Sequence, residues 1–277
     1  MKLFAVIITY YPDLERLQQN ISAFVDDVDG IMIWDNTTTV QKDFLKDIIA
    51  QYPQIILASE NENKGIAYGL NHAWLYARQH NYDAMLTMDQ DSIFEDFSTY
   101  KDHVYRLWKS SGLSACGPLT LKVNVPKAKL ETINHIITSG MMIPVMLLNV
   151  VDGYFKDFKV DGIDVELCYH LKKSGYKVFR DNECTLHQQY GEPQSKRYFG
   201  KTLHSPAYSP SRLYGIFRNH IIIWRKYNHP KSLLFHIFRV YFCNFVIKGI
   251  ILIEDNKWLK LKSVARGIQD GFKYKIQ

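Results

Sequence analysis

The chain has 277 residues, 47% hydrophobic and 22% charged, which is enough for one large core, or for one domain with a helical appendage. Its net charge of +6 is uneven: residues 196–277 hold 16 Lys/Arg and 3 Asp/Glu, a net of +13, whereas residues 1–195 carry −7. Four scattered cysteines without a Cys-x-x-Cys pair argue against a disulfide framework or structural zinc site, and no secretory signal is evident, so we expect a cytoplasmic protein.

The first 90 residues alternate short apolar runs with segments of helical spacing. The predicted strands are Leu3–Thr9, Ile31–Trp34, Ile55–Ala58 and Ala84–Met88. The predicted helices are Asp13–Val25, a short one around 44–49, and Gly65–His80. This alternation predicts an α/β fold in which a mainly parallel sheet is covered by helices on both faces.

Beyond residue 110 the pattern is less regular. We predict strands at Leu113–Val123 and Glu131–Thr138 and a helix at Ile163–Lys173. The polar segment 188–210 is predicted to be a loop, and helices follow near 211–227, 231–253 and 257–273. We therefore expect a nucleotide-binding domain at 1–205 and a basic helical extension at 206–277.

The segment 232–253 is long and apolar, but it contains Arg239 and Lys248. Cationic residues near the centre of a spanning helix cost about 2.5–3.5 kcal/mol each on insertion scales. An amphipathic helix lying on an anionic membrane surface therefore fits better than a spanning one. A core helix and an oligomer contact remain alternatives.

Polar residues follow each predicted strand of the first half, where α/β sheets bind ligands. They are Thr9-Tyr10-Tyr11-Pro12, Asp35-Asn36-Thr37, Glu60-Asn61-Glu62-Asn63 and Asp89-Gln90-Asp91. Such a set suits a base, a ribose and a metal-bound diphosphate. The glycine-rich dinucleotide fingerprint is absent, and Gly200-Lys201-Thr202 lacks the first glycine of a P-loop.

Asp89-Gln90-Asp91 is the sharpest local motif. Two carboxylates around one residue, directly after an apolar strand, suit Mg²⁺ or Mn²⁺, which prefer oxygen ligands. The ion would neutralise charge on a leaving diphosphate.

The ordered motifs resemble those of family 2 glycosyltransferases with the GT-A fold. The motifs are Ile7-Ile8-Thr9-Tyr10-Tyr11-Pro12, Trp34-Asp35-Asn36, Asn63-Lys64-Gly65-Ile66-Ala67, Asp89-Gln90-Asp91-Ser92 and Asp161-Gly162-Ile163-Asp164-Val165-Glu166. Leu186-His187 and Arg218-Asn219 make the likeness strongest to the rhamnosyltransferase branch. Gly162 and His170 depart from the family pattern, and both departures concern the acceptor side.

The resemblance implies roles for nine residues. For the donor nucleotide it implies Thr9 and Tyr11 in the pocket, Asp35 on the base, Asn63 and Gly65 at the ribose and diphosphate, and Asp89 at the ribose or sugar. For the chemistry it implies Asp91 as the carboxylate nearest the metal, His187 approaching the metal or the diphosphate, and Asp164 as the general base.

The implied function is inverting transfer of a hexose, best matched by L-rhamnose from dTDP-rhamnose, to a saccharide acceptor. We expect that acceptor to be lipid-linked at the inner membrane face, in bacterial surface-polysaccharide synthesis, with a homo-oligomer possible. A UDP-sugar donor (galactose or galactofuranose) is the alternative. A nucleotidyltransferase would need a glycine-rich basic loop after the first strand. A nucleic-acid-binding protein is a further rival, but no recognised nucleic-acid module is present.

Overall fold

The computed structural model describes residues 1–38, 43–120, 128–188 and 193–276. The described residues form two compact units. The first contains those of 1–159 and 163–189, and the second contains those of 160–162 and 190–277. The functional division at residues 205 and 206 stays a prediction, but residues 193–205 group with the second unit.

The first unit contains nine strands, six α-helices and a 3₁₀ turn at Val25–Asp27 among its described residues. The strands are β1 Leu3–Thr9, β2 Gly30–Asp35, β3 Ile55–Ala58, β4 Ala84–Asp89, β5 Ile93–Phe94, β6 Ala115–Leu119, β7 Leu130–Thr132, β8 Met141–Pro144 and β9 Val178–His187. The helices are α1 Leu14–Ser22, α2 Asp43–Gln51, α3 Ile66–Gln79, α4 Phe97–Ser111, α5 Val145–Val150 and α6 Ile163–Lys173.

The sheet order is β3-β2-β1-β4-β8-β6-β9-β5, with β7 beside β9. Strands β3, β2, β1 and β4 are parallel, and β6 is parallel to β9. Strand β8 runs antiparallel between β4 and β6. The predicted α/β fold class, a GT-A sheet flanked by helices, is confirmed.

Strand β1 is buried along its whole length, from Leu3 to Thr9. A strand with helices on both faces has no solvent side, so its sequence is continuously apolar rather than alternating. Helix α1 buries Leu17 and Ile21 against this sheet. Asp13 caps its N-terminus, where the Asp13 side chain accepts from the Arg16 N–H. Each such buried aliphatic side chain stabilises the fold by roughly 1.5–3 kcal/mol.

The register brings the carboxyl ends of the parallel strands to one edge. Thr9 of β1 lies beside Asp35 of β2, and Ile8 lies beside Asp89 of β4. Trp34 lies beside Ala58, the last residue of β3. The polar residues that follow these strands therefore meet at a single edge.

Predicted and observed bounds agree best where the apolar pattern is continuous. Strands β1 and β3 and helix α6 have the predicted bounds. The strand predicted at Glu131–Thr138 is wrong beyond Thr132, since only Leu130–Thr132 pairs with β9. The strand predicted at Leu113–Val123 is observed as Ala115–Leu119, and residues 121–127 lie outside the described residues.

The loop predicted across 188–210 is also wrong. Strands β10 Gln194–Tyr198 and β11 Lys201–Ser205 form an antiparallel hairpin there. The two turn residues, Phe199 and Gly200, both have positive φ, at 45° and 79°. That is the backbone of a tight two-residue hairpin turn, in which glycine is favoured and phenylalanine is rare.

The rest of the second unit is helical, as predicted. It contains α7 Pro210–Lys226, α8 Lys231–His236, a π-helix at Ile237–Ile253 and α9 Lys257–Lys273. By length and composition, the continuous helix Lys231–Ile253 is the one described helix that could cross a membrane. Only 28% of the most apolar 18-residue stretch of this helix is buried inside the protein, so most of the stretch is not covered by other residues.

Helices α7 and α9 pack closely because glycines line their contact. A Cβ added at Gly267 would lie 2.5 Å from the Tyr214 carbonyl oxygen, and one at Gly271 would lie 2.9 Å from that of Arg218. The Tyr214 hydroxyl donates to Asp270 at 2.9 Å. The absence of side-chain carbons at these glycines is what permits this approach.

We predict that Gly267→Ala destabilises the second unit. The added methyl group meets backbone rather than a movable side chain, and overpacking of this kind costs about 1–3 kcal/mol. The matched control is Gly215→Ala on α7, where the nearest atom would be 4.0 Å away. There the same change should be neutral or should stabilise the helix by up to about 1 kcal/mol. Chemical denaturation of the full chain measures both, and equal effects would contradict the packing argument.

Candidate functional site

Asp35 forms the centre of a polar cluster at the ends of β1 and β2. Its Oδ1 accepts hydrogen bonds from Thr9 Oγ1 at 3.0 Å, Thr37 Oγ1 at 2.7 Å and the Thr37 N–H at 3.1 Å. Asp35 is only 4% exposed, and these donors compensate its burial. None of them reaches Oδ2, so this oxygen is the one left to accept from a ligand.

Tyr11 and Tyr10 lie at the mouth of this cluster. The Tyr11 N–H donates to Thr37 Oγ1 at 3.0 Å, and the positive φ of 44° turns the chain away from β1. The Tyr10 and Tyr11 rings are exposed and lie edge to face, with centroids 4.7 Å apart. Exposed aromatic rings beside a buried acceptor suit a flat heteroaromatic ligand.

Gln90, the middle residue of the Asp-x-Asp motif, joins the ends of β1 and β4. Its side chain accepts from the Tyr10 N–H at 2.7 Å and donates to the Tyr10 carbonyl at 3.3 Å. No sequence motif indicates this role of Gln90, because a cross-strand amide contact leaves no spacing signal. This contact fixes the aromatic pair relative to the two carboxylates.

Asn63 and Gly65 form the turn that begins α3. Asn63 Oδ1 accepts from the Gly65 N–H at 3.0 Å, and Gly65 has φ +91°. A Cβ at Gly65 would lie 2.6 Å from the Lys159 carbonyl, which also accepts the Ile66 N–H. Packing within the first unit therefore explains why position 65 is glycine, whether or not a ligand also approaches it.

Asp89 ends β4 and is held by three neighbours. Its N–H donates to Ser139 Oγ at 3.1 Å, Asn20 Nδ2 donates to its carbonyl at 2.8 Å, and Gln188 Nε2 reaches Oδ2 at 3.4 Å. Gln188 directly follows β9, so the ends of β4 and β9 meet here. No sequence motif indicates Asn20, Ser139 or Gln188 as supports of Asp89.

Asp91 is half-buried, and burial raises the pKa of its carboxyl above the ordinary value. Its own backbone N–H and Arg16 act in the opposite direction and more weakly; Arg16 Nε donates to the Asp91 carbonyl at 3.0 Å. Two nearby buried oxygens, Asn20 Oδ1 and Ser92 Oγ, have no hydrogen-bond partner among the described residues. A partly desolvated carboxylate suits a hard divalent cation.

His187 ends β9, where Ile93 of β5 lies opposite it. Its Nε2 lies 2.5 Å from Glu95 Oε1, and both side chains are about half exposed. The β5–β9 pairing brings His187 to the chain segment that follows Asp91, with Glu95 as its direct partner. Glu95 is thus a further residue that the motifs did not indicate.

Asp164 lies in the first turn of α6, where its Oδ1 accepts from the Val165 N–H at 2.8 Å. Burial raises the pKa of this carboxyl to about 6, although the Val165 N–H and its own N–H lower it. A carboxylate with a pKa near 6 is ionised at neutral pH, yet basic enough to accept a proton. This raised pKa suits the predicted role of Asp164 as a general base.

The hydrogen bonds connect some of the predicted site residues directly. Thr9 contacts Asp35, and Tyr11 reaches the same cluster through Thr37. Asp89 and His187 contact residues outside the predicted set, whereas Asp164 bonds within its own helix and Asn63 bonds within its turn. Their roles toward a ligand stay predictions.

No family model matches the chain. A curated relative, the dTDP-rhamnosyl transferase RfbF of Shigella flexneri, is 25% identical over 305 aligned positions that cover 98% of each chain.

Several solved glycosyltransferase structures share the fold. The S. aureus TarS 1–349 complex with UDP-GlcNAc has a TM-score of 0.61 at 14% identity, covering 98% of this chain and 81% of that one. The mannosyltransferase PcManGT of Pyrobaculum calidifontis, with GDP-Man and Mn²⁺, has 0.61 at 12% identity, covering 100% and 76%. GalNAc-T7 with UDP, GalNAc and Mn²⁺ has 0.60 at 11% identity; the match covers 99% of this chain but 56% of that one.

These identities to solved structures are low, so they bear on the fold alone. The nearly full-length match to RfbF adds a likeness in sequence, in the branch that the motifs indicated. The chain therefore has the GT-A fold of glycosyltransferases, and its predicted resemblance to rhamnosyltransferases is confirmed.

Proposed function

We propose that this protein is an inverting glycosyltransferase that uses a nucleotide-sugar donor and a divalent metal ion. The observation that carries the proposal is the edge where β1, β2 and β4 end, which gathers Thr9, Asp35 and Asp89 in a GT-A fold. The similarity to a dTDP-rhamnosyl transferase over 98% of both chains supports the same reaction class.

The donor is best matched by dTDP-rhamnose. Asp35 Oδ2, which takes none of the bonds from Thr9 and Thr37, would accept the ring N–H of a pyrimidine base. Tyr11 would pack beside that base, and Asn63 and Gly65 would face the ribose and diphosphate. Thymine and uracil share this N–H, so a UDP-galactose or UDP-galactofuranose donor stays the alternative.

The metal would be Mn²⁺ or Mg²⁺ held at Asp91, with Asp89 facing the ribose or sugar. The half-buried Asp91 carboxylate fits a cation that prefers oxygen ligands. His187, at the end of β9, would approach the metal or the diphosphate. The cation supplies charge neutralisation for the departing nucleoside diphosphate.

Asp164 would act as the general base. An inverting displacement needs one group that removes the acceptor hydroxyl proton while that oxygen attacks the anomeric carbon. Asp164 offers Oδ2 for this, since Oδ1 already accepts the Val165 N–H. Burial tunes the carboxylate toward proton acceptance at neutral pH.

The acceptor would be a saccharide carried on a lipid, and the second unit would dock on an anionic membrane surface. Exposed apolar residues of the π-helix, Phe238, Phe242, Ile247 and Ile251, recur every four or five residues, as about 4.4 residues per turn requires. They form one apolar stripe, and Arg239 lies beside it, over the Phe235 ring. The net charge of +13 on residues 196–277 complements anionic lipid.

A substitution at Asp91 tests the proposed metal site. Asp91→Ala should abolish the rise in melting temperature that dTDP- or UDP-sugars give with Mn²⁺ or Mg²⁺, because the diphosphate would lose its cation. Thermal shift and nucleoside diphosphate release measure this. Asp102→Ala, which removes an exposed carboxylate from α4, is the control and should behave like the wild type. Full metal-dependent stabilisation of the Asp91 variant would exclude it as a ligand.

A substitution at Asp164 tests the proposed general base. Asp164→Asn keeps the shape but cannot take a proton, so transfer should fall at least about 100-fold while donor binding is kept. In the wild type, kcat should rise with pH through about 6, because the carboxyl is protonated, and inactive, below its raised pKa. That acidic limb should disappear in the variant. Glu166→Gln, a variant in the same helical turn, should retain the acidic limb of the pH profile. Normal turnover by Asp164→Asn would exclude Asp164 as the base.

Vesicle binding tests the proposed docking on an anionic membrane surface. The full chain should co-sediment with phosphatidylglycerol vesicles but not with phosphatidylcholine vesicles, and high salt should weaken binding. The double variant Phe238→Ser/Phe242→Ser should reduce binding at least tenfold. Leu75→Ser, at an exposed apolar site on α3, should not. Normal vesicle binding by the double variant would refute the docking. So would evidence that the apolar stripe joins two copies of the chain in solution and does not contact lipid.

A further inference from the structure

A second group of metal-ligating atoms lies between α4 and β9. His103 on α4, with Asp181 and Cys184 on β9, place one ligand atom each within 4.8 Å of one another. His103 Nδ1 lies 2.8 Å from Asp181 Oδ2 and 3.8 Å from Cys184 Sγ. Asp181 and Cys184 are 2% and 4% exposed, whereas the His103 side chain is 29% exposed and gives a route from solvent.

An irregularity in β9 creates this arrangement. Asp181 pairs with Pro118 of β6, but the next paired residues are Leu119 and Thr185. The three intervening residues of β9 therefore bulge out of the β6 pairing, and Cys184 is one of them. Asp181 Oδ1 accepts the Glu183 N–H at 2.9 Å inside the bulge, which leaves Oδ2 for His103. Bulges commonly redirect side chains toward functional positions.

We propose that His103 Nδ1, Asp181 Oδ2 and Cys184 Sγ bind a Zn²⁺ ion, with water as the fourth ligand. This site goes beyond the proposed transferase function and does not depend on it. A thiolate and an imidazole favour Zn²⁺, whereas Mn²⁺ and Mg²⁺ favour the all-oxygen environment of Asp91.

The distances fit a tetrahedral ion after a small adjustment. Zinc bonds of about 2.0–2.3 Å place ligand atoms roughly 3.3–3.6 Å apart. The Nδ1–Sγ separation of 3.8 Å is already close to this, and the Nδ1–Oδ2 pair must widen by about half an ångström from 2.8 Å. The partly exposed His103 can move this far without displacing the core.

Binding must also balance protons. The Cys184 thiol loses its proton to solvent as the zinc–sulfur bond forms. The neutral imidazole ligates through the Nδ1 lone pair and carries its proton on Nε2, so the hydrogen bond between His103 and Asp181 gives way to two bonds to the metal. One proton per zinc is therefore released, and the affinity should increase with pH.

The consequence would be a crosslink between α4 and the strand that reaches the candidate active site. Strand β9 ends at His187, and Gln188 contacts the Asp89 carboxylate. A metal clip three residues before His187 would hold that strand end in place. The alternative is an ordinary buried His–Asp pair with a cysteine beside it, which predicts no metal affinity above that of exposed side chains.

The test uses the full chain after removal of metal with a chelator. We expect one zinc per chain, with a Kd on the order of 0.1 µM or tighter, and a rise in melting temperature of about 3 °C or more. Co²⁺ in its place should give a thiolate charge-transfer band in the near ultraviolet. His103→Gln and Cys184→Ala should each weaken zinc at least tenfold, and Cys184→Ala should remove the band.

Two controls make the result specific. Cys168→Ala removes another buried cysteine, whose Sγ faces the Ile136 carbonyl, and should leave zinc affinity unchanged. Asp91→Ala should also keep the zinc while losing metal-dependent donor stabilisation, which separates the two proposals. Wild-type protein without the cobalt band, or equal zinc affinity in Cys184→Ala, overturns the site. If Cys184→Ala does not fold, an unchanged zinc affinity in His103→Gln would overturn the site instead.

Discussion

The candidate site depends on carboxylates that a buried sheet places at one edge with little water around them. Asp35 is stabilised there by three donors on a single oxygen, so its burial is compensated within the protein. Asp91 lacks comparable support, and burial raises the pKa of its carboxyl. The difference suggests different partners: a base N–H for the first carboxylate and a cation for the second.

The sequence predicts elements well where one local pattern determines them. Strand β1 is a continuous apolar run, and α6 begins and ends at strong helix signals, so both have the predicted bounds. Helix α4 is not among the predicted elements, although Asp96 caps it through the Thr99 N–H. The hairpin at 194–205 was missed because its turn places an unusual Phe199 beside Gly200 at positive φ.

The site shows the same division between local and distant information. Pairing of adjacent strand ends made Thr9 and Asp35 predictable, since their motifs follow strands next to each other. Gln90 and Glu95 contact residues at least 80 positions away, so no local spacing could reveal their roles. The cysteine spacing argued against a zinc site, yet spacing says nothing about ligands that a bulge in β9 brings to α4.

Electrostatics links the acidic edge to the need for a cation. A diphosphate approaching Asp89 and Asp91 would be repelled by about 4 kcal/mol per charge pair at 4 Å, with an effective dielectric near 20. The Arg16 side chain contacts this motif, but its Nε–H already donates a hydrogen bond to the Asp91 carbonyl. A divalent ion between a carboxylate and the diphosphate would attract both anions, and these attractions would offset the repulsion between them. Under the proposed function, a nucleotide-sugar donor would therefore bind this edge weakly without a metal ion, because the carboxylates would repel its diphosphate.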